Sequence, residues 1–119
     1  MKLLTYTHEG RTHFGALRGQ DQIVALDGNG YASLRAALEA DALPALAKLA
    51  NSLPTTHKLN EVRLLPPVPQ PEKIICVGVT YVAHREEMGR AEFPHPTLFT
   101  RFDSTLVGSG QPIVKPRVS

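Results

Sequence analysis

At 119 residues the chain has room for one domain, or for a small domain with part of a second, and for a modest core. Thirteen Lys and Arg against eleven Asp and Glu leave a net charge of only +2, and the basic residues are scattered, so no nucleic-acid partner is expected. The longest apolar runs are about five residues, far below the ~20 that cross a bilayer, and no signal pattern opens the chain; no membrane is expected and the location expected is cytoplasmic.

The first segment, MKLLTYTHEGRTHFGALRGQDQIVALD, alternates short apolar stretches with HEG and RGQD, both turn chemistries with glycine at or near the tip. This predicts three antiparallel strands near 2–7, 12–18 and 22–26. His8 and His13 flank the first turn and read as solvated hairpin surface. The Ala/Leu-rich stretch that follows predicts two short helices. Ser33 can cap the first, which carries Leu34, Ala37 and Leu38 at helical spacing; Asp41 breaks it, and Pro44 suits the first turn of a second helix ending near Ala50.

A strand is expected at LNEVRLL, and then PPVPQPE packs prolines into an extended, donor-poor stretch. The expected organisation is α+β: a small N-terminal domain over 1–65, a proline-rich linker over 66–72, and the beginning of a mixed, β-rich domain over 73–119. That second part opens with the apolar strand KIICVG, in which the single Cys76 reads as an inert core residue. It continues with three apolar runs, PTLFTRF, STLVG and PIV, each read as strand-like.

Between Gly78 and Gly89 the chain carries the signals of one short helix, with Thr80 as cap, Tyr81 to Met88 as body and Gly89 just beyond. So short a helix orders mainly through packing or a ligand. Helical residues advance about 100° each, so Glu87, three on from His84, returns to its side, whereas Glu86 lies on the far side and suits an exposed pair with Arg90. A carboxylate that holds one ring nitrogen fixes the tautomer and frees the other as a proton acceptor. His84 and Glu87 are therefore the candidate catalytic pair.

The segments KIICVGVTYVAHREEMG and PHPTLFTRFDSTLVGSGQPIVKP together resemble the start of the catalytic domain in the fumarylacetoacetate hydrolase family. The match rests on Gly78, Tyr81, His84, Glu87, Met88, Pro96, Phe99, Ser104, Gly110, Ile113 and Pro116. Thr80 stands where asparagine is usual, and Arg101 where lysine is frequent. The resemblance implies a metal-dependent enzyme acting on a β-dicarbonyl or 2-oxo acid by C–C hydrolysis, decarboxylation or isomerisation. It also implies His84 as base, Glu87 as its orienter on a mobile lid, Arg101 and Tyr81 as substrate-binding residues, and a homodimer or further self-association. Mg²⁺ or Mn²⁺ is expected in the complete enzyme but not on this chain, because the acidic strand that the resemblance makes the metal site has no counterpart before Ser119. The chain thus reads as an N-terminal portion, inactive alone; the alternative is a non-catalytic interaction module.

Overall fold

The computed structural model describes residues 1–91 and 95–118. They fall into two compact units, one holding Met1–Pro69 with the segment from Val107 onward, the other Gln70–Leu106.

The first unit is built on five strands: β1 (Lys2–His8), β2 (Arg11–Arg18), β3 (Gln22–Ala25), β4 (His57–Lys58) and β5 (Arg63–Leu65). They form one antiparallel sheet in the order β4-β3-β2-β1-β5. The alternation of side chains separates its two faces. Phe14 and Ala16 on β2, Val24 on β3 and the following Leu26 point to one side, where they meet Leu34, Ala37, Leu46 and Ala50 of two helices, α1 (Leu34–Glu39) and α2 (Leu43–Ser52), and Ala42, which caps the second. The spacing of Leu34 with Ala37, and of Leu46 with Ala50, lays one stripe of each helix on the sheet. Ser33 caps α1 by accepting from the Ala36 N–H at 3.1 Å. Asp41, with φ 51°, turns the chain out of α1, and Pro44 occupies the first turn of α2. The Arg18 guanidinium reaches from β2 to the carbonyls of Ala50 and Leu53, which the end of α2 leaves unpaired.

The other face curls inward. Tyr6 and Ile23 are fully buried there, and the Tyr6 ring stacks on His13 with 5.5 Å between centroids and meets His57 edge-on at 5.9 Å. Such curvature leaves no room for a side chain at Gly15, whose Cβ would lie 2.5 Å from the Val24 carbonyl oxygen. The segment after Val107 returns to this unit, with Gly108 buried against the Leu64 backbone and Gln111 accepting from Arg63 Nε at 3.0 Å.

Several local expectations change. His8 and His13 are half-buried rather than solvated, because the curl brings His57 onto His8 and Asp27 onto His13. The strand expected at LNEVRLL is shorter: Leu59–Glu61 forms a 3₁₀ turn, with Glu61 accepting from the Lys58 N–H at 2.8 Å, and only Arg63–Leu65 extends.

The second unit pairs β6 (Ile74–Gly78) antiparallel with β7 (Thr97–Arg101), Gly78 opposite Thr97 and Ile74 opposite Arg101. Helix α3 (Val82–Glu87) lies in the connection. STLVG and PIV are not strands: Asp103–Thr105 is a 3₁₀ turn and no strand follows among the described residues. Within this ribbon Cys76 is half-buried, not a core residue, because only one neighbouring strand flanks β6. Ile75, Val77 and Leu98 are 62%, 53% and 61% exposed.

Candidate functional site

Three features converge where β6 ends. The strand stops at Gly78; Val79 takes φ 55°, a left-handed conformation that is strained for a β-branched residue; and α3 then begins. Its cap is Tyr81, not Thr80, and Tyr81 supplies no side-chain hydrogen bond. Tyr81 is extended at φ −78°, ψ 127°, so the helical turn starts one residue later than the hydroxyl of Thr80 would set it. At the other end Met88 closes the helix, and Gly89 follows with φ 62°, a conformation glycine adopts without a Cβ penalty.

This short helix sets His84 and Glu87 on one side. Their Nδ1 and Oε2 atoms are 3.7 Å apart, an ion-pair separation rather than a hydrogen bond, with the side chains 56% and 82% exposed. Glu87 faces Nδ1, so Nε2 is the ring nitrogen not engaged by this pair. Both side chains are exposed, so neither is locked in this arrangement by packing. Glu86 and Arg90, by contrast, form no ion pair among the described residues.

The two residues expected to bind substrate lie differently. Tyr81 is the exposed cap of α3, three residues before His84. Arg101 is opposite Ile74, four residues along β7 from Thr97, so its backbone is about 13 Å from the strand end that leads into α3. Its guanidinium lies over the Phe99 ring, 5.5 Å from the centroid. Sequence reasoning passed over Arg85 and His95. Together with Gly78, Val79, Thr80, Pro96 and Thr97 they line a cleft of about 260 Å³ between the end of β6 and the start of β7.

Among the described residues no group of three or more His, Cys, Asp or Glu side chains is placed to hold a metal ion. Asp103 is occupied locally, its Oδ1 accepting from the Ser104 N–H at 2.8 Å. The described residues do not fit a divalent-cation site, which needs several converging oxygens.

The first unit holds a tighter histidine–carboxylate pair, His13 Nδ1 and Asp27 Oδ2 at 2.8 Å. It lies beside the buried Tyr6, whose hydroxyl is pushed up to about 12 by burial, then by the Asp27 charge, with the Thr56 hydroxyl pulling weakly the other way. The signal in the sequence was the pairing of Tyr6 with His13 across the first hairpin, visible once the register is known.

Residues 1–67 match the family described as Rv2993c-like, N-terminal. The chain is 38% identical over 68 residues to human mitochondrial oxaloacetate tautomerase FAHD2A, covering 57% of this chain and 21% of that protein. It is 47% identical over 62 residues to oxaloacetate tautomerase YisK of Bacillus subtilis (strain 168), covering 50% and 20%, and 40% identical over 60 residues to oxaloacetate tautomerase fahd2 of Xenopus laevis, covering 50% and 19%. The matched stretch is thus about a fifth of each relative's length. Among the described residues no helix is long and apolar enough to cross a membrane.

Proposed function

The chain belongs to the Rv2993c-like N-terminal family, and from that premise we propose that it is part of a fumarylacetoacetate hydrolase-family enzyme acting on 2-oxo acids, as its relatives' names suggest, and carries the proton-transfer helix. The relatives are oxaloacetate tautomerases, and tautomerisation needs one base placed to move one proton between carbon and oxygen. The observation that supports the reading is the placement of His84 and Glu87 on one side of α3, Nδ1 facing the carboxylate at 3.7 Å.

In this account Nε2 of His84 takes a proton from C3 of the oxo acid, and the electron pair of the broken C–H bond forms the C2–C3 double bond of the enolate. The same nitrogen then returns the proton to the C2 oxygen, giving the enol. Glu87 holds the Nδ1 proton and favours the imidazolium formed between the two transfers. Mg²⁺ or Mn²⁺ would polarise the oxo acid, and the described residues place no cluster of oxygen ligands for it. The chain alone is expected to be inactive.

The test is enol–keto interconversion of oxaloacetate by the chain joined to the rest of its catalytic domain. His84→Asn is expected to lower kcat about 10²- to 10⁴-fold; undiminished turnover would overturn the reading. A second reading, that this piece acts as an association module, is favoured by the apolar side chains exposed on the two-stranded ribbon and by its unpaired strand edges. It predicts concentration-dependent self-association in sedimentation, relieved by Ile75→Lys; a monomer at all concentrations would contradict it.

A further inference from the structure

The cleft at the end of the β6–β7 ribbon has a composition that the His84/Glu87 pair does not use. Arg85 is the one half-buried residue of α3; the others are exposed. No carboxylate among the described residues pairs with its guanidinium, although Glu86 and Glu87 follow it directly. Among the described residues the cleft it lines, about 260 Å³, is also lined by His95, Thr80 and Thr97 and by no acidic side chain. An unpaired guanidinium drawn into a concave site loses hydration without compensation, and a fork of N–H donors matches a carboxylate in two parallel hydrogen bonds. The strained left-handed backbone at Val79 lies in the same wall. A β-branched residue is disfavoured in that conformation, and such strain recurs at ligand sites.

We propose that Arg85, supported by His95 and Thr80, binds the carboxylate of the 2-oxo acid in this cleft. The assignment rests on the functional reading above and deepens it. Arg85 follows His84 directly, about 100° around the helix, so the anion cleft and the base occupy adjacent sides of one turn. An oxo acid anchored by its carboxylate at Arg85 is thereby held one residue along α3 from His84, which does not itself line the cleft. Arg101, out along β7 and over Phe99, is left free of that role.

The experiment is a ¹⁵N NMR titration of the 119-residue chain with pyruvate, with methyl pyruvate and inorganic phosphate as parallel probes. Pyruvate is expected to give saturable shifts confined to the Arg85 side chain, His95 and the Val79–Thr80 amides. Arg85→Gln is expected to weaken binding at least tenfold and Arg85→Lys by less, with amide shifts elsewhere unchanged. Methyl pyruvate, lacking the charge, is expected not to bind. Shifts scattered over all basic residues, equal saturation by phosphate, or binding unaltered in Arg85→Gln would each overturn the proposal. Failure here is separable from failure of the base. Unaltered pyruvate binding in Arg85→Gln, with turnover lost in His84→Asn, removes the cleft and keeps the base; localised binding with turnover intact in His84→Asn does the reverse.

Discussion

The imidazoles of His8 and His57 lie 4.2 Å apart, although strands β2 and β3 separate the strands that carry them. Three strand spacings in a flat sheet would hold them more than about 14 Å apart. The contact therefore measures how far the sheet curls, and the same curl brings the Val24 carbonyl to within 2.5 Å of where a Gly15 side chain would begin. Gly15→Ala must push back against backbone on the neighbouring strand. It is expected to cost about 2–3 kcal/mol in urea unfolding and to separate the His8 and His57 rings; a loss below about 0.5 kcal/mol would show the sheet to be more open.

Tyr6 makes the fold sensitive to alkali. Its hydroxyl is pushed up from 10.0 to about 12 by burial and by Asp27. The folded state therefore keeps its proton where the unfolded chain releases it, and stability from this group is complete below pH 10 and is lost as pH rises from about 10 to about 12. Urea midpoints measured through that window are expected to fall in the parent and to fall less in Tyr6→Phe. At pH 7 Tyr6→Phe is expected to remain within about 1 kcal/mol of the parent, since the hydroxyl has no hydrogen-bond partner among the described residues.

Arg18 ties α2 to the sheet by donating to the Ala50 and Leu53 carbonyls. Arg18→Met keeps most of the aliphatic stem but leaves two helix-end carbonyls without a protein donor. The expected loss is about 2 kcal/mol by thermal or chemical unfolding, and Arg18→Lys should recover only part of it because a single ammonium lacks the fork that serves both oxygens.

How much of this could be read from the residues depended on how local each cause is. The hairpin strands, the Ser33 cap, the Asp41 break and the Pro44 start follow from turn and cap chemistry within a few positions, and the structure shows them. The 3₁₀ turn at Leu59–Glu61 and the missing strands after Asp103 depended on pairing partners, which apolar runs alone do not reveal. The side shared by His84 and Glu87 follows from helical spacing, but the Arg85 cleft does not. It exists because Gly78 pairs with Thr97 and so brings His95 and Pro96, ten and eleven residues on from Arg85, back to the strand end. Likewise the His13–Asp27 pair and the His8–His57 contact arise from the curl, a property of the whole sheet.

The claim that Glu87 makes His84 an effective base is tested most directly by kcat for enol–keto interconversion of oxaloacetate, measured for the complete protein carrying Glu87→Gln. The amide keeps size and position but cannot hold the imidazolium by charge. The expected result is a 10- to 100-fold fall in kcat with KM changed by less than about threefold. A kcat equal to the parent's would contradict the account.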